Sequence, residues 1–448
     1  MDATRRVGED DGVNEDPRAI IAREPMHRRQ LLAIAIATAL NALDGFDVLS
    51  ISFASPGIAA QWGVQKAALG VVLSMELIGM ALGAFALGAL ADRLGRRPTI
   101  LACLAIMASG MALASVAPGV FVLSLLRLYT GLGIGGMLAC TNAIVAECSN
   151  AKRRNLSVAI MAGGYPMGAV VGGIIASTLL AATGHWQSIF LFGALVTTMF
   201  IPLVLWRVPE TIAFLCYRQP ADALQRINRT LTLQGRAPLA ALPAKQATVR
   251  RVGLGQAFAP GMAGVTLVLV GAYSAHMLTF YFLMKWIPKI VVDMGSSPSA
   301  AGSVLVWANV GGASGAVTLS LLTQRLGVRA LVIGAMIAGA VAVGLFGQSG
   351  SSVLFLSIAA AVAGFFTNGA TAGLYAVIAQ SFPAHLRAGG TGIVIGIGRG
   401  GAALGPIVAG LLFAHGLSVQ WVAAAMGCGT LCAALALLSL RYRETPLA

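Results

Sequence analysis

The chain has 448 residues, 57% of them hydrophobic and only 10% charged, with a formal net charge of +14 and a mean hydropathy of +0.83. A soluble domain carries roughly 25% charged residues, so this composition excludes an ordinary soluble fold and indicates a polytopic membrane protein. The excess of basic residues is not a nucleic-acid signal, because they lie in short turns between apolar segments, as the positive-inside bias of membrane proteins places them.

Residues 1–30 are polar and of mixed charge (Asp2, Arg5, Arg6, Glu9, Asp10, Asp11). They lack the short apolar core and cleavage site of a signal peptide, so they read as a cytoplasmic tail. A helical span needs roughly 20 apolar residues. Such windows occur near 31–52, 68–90, 98–117, 120–146, 156–181 and 188–206 in the first half of the chain. In the second half they lie near 260–287, 299–322, 329–348, 352–380, 389–414 and 419–440. This predicts an all-α membrane protein of twelve transmembrane helices. Its expected parts are a bundle over 31–206, a basic linker over 207–259, a second bundle over 260–440 and a tail over 441–448.

The linker holds Arg207, Arg218, Arg226, Arg229, Arg236, Lys245, Arg250 and Arg251 against Glu210 and Asp222. With Arg93, Arg96, Arg97, Lys152, Arg153, Arg154, Arg325, Arg329, Arg387, Arg441 and Arg443, it sets one basic side. Little beyond Lys66, Lys285 and Lys289 is assigned to the other. Both termini are therefore expected in the cytoplasm. Cys103, Cys140, Cys148, Cys216, Cys428 and Cys432 have no metal or redox spacing, and no disulfide framework is read.

The halves echo one another. "GALADRLGRR" (88–97) matches "SLLTQRLGVR" (320–329). At a shift of about 233, Gly131, Gly136, Ala139, Ala143, Ala146, Arg154, Gly168 and Gly172 fall on Gly364, Gly369, Ala372, Ala376, Ala379, Arg387, Gly401 and Gly405. Two six-span, pseudo-symmetric bundles in one orientation are the parallel-repeat plan of a secondary transporter, with its site between them near mid-membrane.

Charges inside the spans are the candidate machinery. At 1.5 Å per residue, Asp44 lies roughly 20 Å and Asp47 roughly 24 Å from the cytoplasmic face. Glu76 and Arg127 share a depth of roughly 12 Å below the opposite face, His276 sits about 20 Å and Arg399 about 15 Å from the cytoplasm. Intramembrane charge is expensive and usually functional. Asp44 and Asp47, three residues apart on one helix face, suit proton coupling if a movable arginine or bound anion controls their charge, with Glu76 as a third carboxylate. Arg399, Arg127 and His276 are candidates for holding an anion. Aromatics at Phe46, Tyr165, Tyr281, Phe282, Trp307, Phe365, Phe366 and Tyr375 suit a ring, and Tyr165 and Trp307 are singled out. A static ion pair or a lipid-facing aromatic is the plain alternative for each. Gly88, Asp92, Arg93, Gly95 and Arg96 form the most specific local pattern, a candidate gate that Glu147 and Arg154 could join. Two dinucleotide-like strings, Gly131-x-Gly133-x-x-Gly136 and Gly396-x-Gly398-x-x-Gly401, lie inside apolar spans rather than after a strand. No nucleotide, metal or cofactor is implied, and no nucleophile motif supports an enzyme.

With the 88–97 motif and its echo, the chain resembles the major facilitator superfamily over nearly its whole length. Arg127-x-x-x-Gly131-x-Gly133-x-Gly135-Gly136 resembles that family's span-4 motif, and Gly164-Tyr-Pro-Met-Gly168…Gly172-Gly173 its span-5 motif. "DGFD" (44–47) resembles the signature of the aromatic acid:proton symporter branch, as do Val208-Pro209-Glu210-Thr211, Trp286-Ile287-Pro288 and Gly398-Arg399-Gly400-Gly401…Gly405-Pro406. The branch implies proton-driven uptake of benzoate-like carboxylates across a bacterial inner membrane, and a monomer is expected. Asp44 and Asp47 would couple protons, Arg399 would meet the substrate carboxylate and Asp92 would gate. Gln324 in place of an acid, Glu76, and Gln187 after Trp186 depart from that pattern. A proton-driven exporter of amphipathic compounds and a transporter-like sensor that binds without translocating remain open alternatives.

Overall fold

The structure, a computed structural model, describes residues 16–244, 258–259, 262–323, 325–383 and 386–440. Gln324, the basic residues Lys245, Arg250, Arg251, Arg441 and Arg443, and the acidic and basic positions before residue 16 lie outside the described residues.

Fifteen helices are described. After the short α1 (Pro17–Arg23) come spans α2 (Arg28–Trp62), α3 (Lys66–Leu94), α4 (Arg96–Ser115), α5 (Val120–Cys148), α6 (Arg154–Thr183) and α7 (Gln187–Arg207). Two short helices, α8 (Ile212–Arg218) and α9 (Ala223–Thr232), occupy part of the linker. The second set is α10 (Ala263–Asp293), α11 (Pro298–Leu322), α12 (Val328–Phe346), α13 (Val353–Gln380), α14 (Arg387–Ala414) and α15 (Val419–Ser439). Twelve of these are long and apolar enough to cross a membrane.

Helix ends follow local chemistry. The His27 ring accepts from Arg29 N–H while Gln30 reaches back to the His27 N–H, a reciprocal cap that starts α2. Gly63 and Gly184, with φ of 59° and 69°, end α2 and α6 in the left-handed conformation that glycine adopts without penalty. Part of the linker departs from the plain polar expectation. Ile212, Phe214, Leu215, Ile227, Leu231 and Ile21 share a small apolar core, which folds α1, α8 and α9 against the basic end of the first bundle.

Inside each bundle, glycine lets backbones touch. A Cβ on Gly168 of α6 would lie 1.7 Å from the Ala42 carbonyl oxygen of α2. Its repeat mate Gly401 of α14 would meet the Ser274 oxygen of α10 at 1.9 Å. Gly131 of α5 meets the Glu76 oxygen of α3, and its mate Gly364 of α13 meets the Ala308 oxygen of α11, at 2.2 and 2.0 Å. The repeat read from the sequence is thus a repeat of helix contacts. Gly88, by contrast, would meet only the Ala139 methyl at 3.6 Å, an ordinary contact, so it does not mediate a close approach.

The bundles meet through α3 with α14, α6 with α11, and α2 with α10. At the end away from the basic turns, Gly70 abuts Pro406 and Gly410, Gly173 abuts Val306, and Lys66 pairs with Asp293 at 3.4 Å. Toward the basic end Phe85 lies near Gly396 yet stays 69% exposed. The halves are closed at the far end and loosen toward the basic end.

Candidate functional site

The site starts from "DGFD". A Cβ on Gly45 would strike the Tyr165 carbonyl oxygen at 2.0 Å, so only glycine lets α2 lie against α6 here. That contact turns Asp44 and Asp47 inward. Both are buried, and none of their four carboxyl oxygens has a hydrogen-bond partner among the described residues. In water an exposed carboxylate would be solvated; here the group must find a cation or a proton.

The cation is close to Asp47. Arg127 of α5 donates through Nη2 to the Asp47 main-chain carbonyl at 3.2 Å and to Glu76 Oε1 of α3. Its Nη1 reaches the Met111 sulfur at 3.1 Å, and its guanidinium lies 5.3 Å from the Phe190 ring centroid. The Gly131 approach described above holds α5 and α3 together at this level. The other Glu76 oxygen faces Lys285 of α10 at 3.2 Å, and Lys285 also donates to the Val48 carbonyl. Arg127, Glu76 and Lys285 are all fully buried.

Lys285 corrects the sequence reading, which assigned it to an outer turn. α10 runs on through Trp286-Ile287-Pro288 to Asp293, leaving Lys285 two turns inside the span. Its signal was there: the first of two lysines in "YFLMKWIPKIVV", flanked on both sides by residues that continue the helix.

A second polar group lies across the same interface. Arg399 of α14 is half-buried, and its Nη1 is buried with no hydrogen-bond partner among the described residues. It sits within electrostatic reach of Tyr165 on α6 and of Tyr273 and Tyr281 on α10. Tyr273 Oη lies 3.2 Å from Tyr375 Oη, and Gly398 lets α14 pack on the Tyr273 ring. Tyr165 and Tyr281 reach each other across the halves and also feel Glu76, so they link the two polar groups. An arginine with a free donor among four tyrosines can bind a carboxylate and stack or hydrogen-bond a hydroxylated ring. Tyr273 was not singled out in the sequence; its place opposite Arg399 is visible only once α10 and α14 are packed.

Two candidates do not join. His276 is fully buried, and its nitrogens are engaged by Thr430 Oγ1 at 3.1 Å and by Thr367 O and Thr371 Oγ1 at 3.0 Å. It ties α10, α13 and α15 together and presents nothing to a ligand. Trp307 is 53% exposed in a shallow groove with Val310, Ser314 and Val362, while Val306 beside it turns to α6. It faces away from the polar groups, toward the lipid side.

The candidate gate forms a network at the basic end. Arg96 Nη2 pairs with Glu147 Oε1 at 2.9 Å, Arg96 Nη1 with Asp92 at 3.4 Å, and Thr211 donates to the other Glu147 oxygen. Glu210 accepts from the backbone N–H groups of Arg96 at 3.0 Å, Arg97 at 3.3 Å and Thr211 at 3.1 Å, capping α4. Burial pushes the Glu210 carboxyl above its usual range, against those three donors. Gly95 has φ of 111°, and a Cβ there would lie 2.2 Å from Glu210 Oε2, so the turn requires glycine twice over. Arg93 and Arg154 are exposed and make no ion pair among the described residues. The network joins α3, α4 and α5 of the first bundle with the start of the linker after α7.

The sequence profile of the Major Facilitator Superfamily matches residues 34–283 and 269–448. A gallate transporter of Pseudomonas putida is 31% identical over 440 residues, covering 96% of this chain and 97% of that protein. A 3-(3-hydroxy-phenyl)propionate transporter of Escherichia coli (strain K12) is 30% identical, covering 93% and 95%. Among solved structures, the inward open conformation of the xylose transporter XylE from E. coli superposes with a TM-score of 0.70 at 17% identity, covering 93% of this chain and 97% of that one, a likeness of fold. The chain is a multi-pass membrane transporter, not an enzyme, and it belongs to the Major Facilitator Superfamily.

Proposed function

We propose that this transporter imports a small aromatic carboxylate together with protons, from the far side to the side of the basic turns. That side is the cytoplasm of a bacterium, by the positive-inside bias. The observation that carries the reading is that unlike charged groups, one from each bundle, lie within reach of one tyrosine, Tyr165, which feels both Asp44 and Arg399. Among the described residues, Asp44 and Asp47 are buried carboxyls without hydrogen-bond partners, and Arg399 is a cation with an unpaired donor among Tyr165, Tyr273, Tyr281 and Tyr375. Relatives named as transporters of gallate, 4-hydroxybenzoate and 3-(3-hydroxy-phenyl)propionate point to the same substrate class.

In this reading the substrate carboxylate binds Arg399 and its ring lies among the tyrosines. Protons on the aspartates remove charge that would otherwise be buried when the halves close, which is how proton and substrate become coupled. Arg127 and Glu76 hold the proton site in shape, and the basic-end network of Asp92, Arg96, Glu147 and Glu210 steadies the inner rim.

The test is uptake of labelled gallate and 4-hydroxybenzoate into proteoliposomes under an imposed pH gradient. Wild type should concentrate one of them, with alkalinisation of the outer medium. Asp44→Asn and Asp47→Asn should bind substrate and exchange it without concentrating it. Full concentrative uptake with unchanged pH dependence in either variant removes that carboxylate from the coupling role. Proton movement opposite to the substrate establishes export instead.

A further inference from the structure

One buried charge has no task in that scheme. Lys285 belongs to the second bundle, yet its ammonium lies in the first, 3.2 Å from Glu76 Oε2 and bonded to the Val48 carbonyl. Among the described residues the other ion pair between the bundles, Lys66 with Asp293, is 3.4 Å long and sits at the far surface with side chains 41% and 32% exposed, where solvent leaves it little weight. Lys285 is therefore the charge that one half lends to the interior of the other. It stands at the far end of the interface, where α2, α3 and α10 meet, and it cannot remain there if the bundles part on that side.

Its withdrawal changes the local charge balance. The charged groups around Asp47 are Asp44 on its own helix, Glu76 on α3 and Arg127 on α5; Lys285 on α10 reaches this cluster through Glu76 and the carbonyl of Val48, the next residue after Asp47, and the Tyr165 and Tyr281 hydroxyls lie within reach of Glu76. A sealed, dry cluster is stable when its charges sum to about zero. With Lys285 docked, two cations face Glu76, and the sum closes when one aspartate carries its charge. With Lys285 withdrawn, Glu76 and Arg127 already cancel, and the aspartates fit as neutral acids.

We propose that Lys285 is the mobile counter-charge of this transporter: docked on Glu76 it locks the far side shut, and its arrival and departure set the charge that Asp47 carries in the two states. The lock stands on the Lys285–Glu76 geometry alone; the tie to the proton rests on the symport reading. Lys285 is a positioning residue. It touches Glu76 and the α2 backbone rather than the substrate.

The lock is tested in the full-length protein with a reporter at Ser177→Cys, a buried α6 position at the far contact with Gly302 of α11. A membrane-impermeant thiol reagent is added from the far side, and the same proteins without the reporter give the background. Lys285→Met leaves Glu76 paired with Arg127, so the fold is retained, and labelling should quicken by about tenfold or more, while Lys285→Arg stays near wild type. The double variant Glu76→Gln/Lys285→Met should label like Lys285→Met. Labelling of Lys285→Met at the wild-type rate overturns the lock.

The proton tie is tested in proteoliposomes. Lys285→Met should exchange labelled substrate between the two sides yet lose most of its pH-driven accumulation; unchanged accumulation overturns the tie. Should wild type move no protons at all, the symport reading falls and takes the tie with it, while the labelling rates still decide the lock.

Discussion

The Gly168 interlock offers a clean way to move the site without touching a charge. In Gly168→Ala the new Cβ would stand 1.7 Å from the Ala42 carbonyl oxygen and 2.4 Å from its carbon. A carbon–oxygen contact needs roughly 3.3 Å, so α2 and α6 must part by roughly 1.6 Å. Both obstacles are helix backbone, which cannot swing aside as a side chain does. The penalty should reach the upper part of the overpacking range, about 3 kcal/mol. The parting also separates Asp44 and Asp47 on α2 from Tyr165 on α6. The control is five residues away: Gly163 is exposed, and a Cβ there meets nothing within 4 Å. Gly163→Ala removes a flexible residue from a helix, a gain of about 0.5–1 kcal/mol. Thermal unfolding of the purified protein in detergent, read beside labelled uptake, should separate the pair. Gly168→Ala should melt several degrees lower and transport poorly, and Gly163→Ala should match or exceed wild type. Gly401→Ala, 1.9 Å from the Ser274 oxygen, should repeat the loss in the second bundle. If Gly168→Ala and Gly163→Ala melt and transport alike, helix contact does not set this site.

Arg399→Lys should weaken substrate affinity about tenfold or more in competition uptake while leaving the melting curve in place, because a lysine cannot match the two-pronged hold of a guanidinium on a carboxylate. Trp307→Ala should leave affinity and transport rate unchanged; a clear loss of either would return Trp307 to the site. Glu210 has a carboxyl raised above its ordinary 4.5, so its neutral form adds stability that is complete below that value and fades as pH rises through the folded-state value. The melting midpoint should therefore carry a falling component as pH rises above 4.5, and Glu210→Gln should flatten it; identical pH profiles would refute the assignment.

Much of the fold was legible because hydropathy and breakers carry it. The twelve windows fall within a few residues of most observed helix ends, with α2 and α10 extending furthest beyond them. Asp44, Asp47, Glu76, Arg127 and Arg399 were found because a charge in an apolar run has few bland explanations. What the sequence could not supply was direction around the helix axis. Trp307 and Tyr281 look alike as aromatics in apolar spans, yet one faces outward and the other reaches Tyr165. His276 is polar and deep, but three threonine contacts consume it. Lys285 was misplaced for a different reason: a lysine near the end of an apolar window looks topogenic, and only the continuation of α10 to Asp293 puts it inside.

The repeat also separates what holds the bundles together from what acts. The glycine contacts occur in both halves, Gly131 and Gly168 in one and Gly364 and Gly401 in the other. The charges do not. Alignment on those contacts sets Glu76 opposite Ala308 and Arg127 opposite Ala360, while Asp44 and Asp47 stand opposite His276 and Thr279, and Arg399 opposite Pro166. One scaffold, used twice, therefore presents carboxyls and their arginine from the first half and, from the second, the arginine proposed to bind the substrate anion. A symmetric pair of sites would give each half its own proton and its own substrate. In the proposed scheme, neither half can complete the coupling alone, and the groups it requires to act together, Glu76 with Lys285 and Tyr165 with Tyr281, are ones that reach each other between the halves.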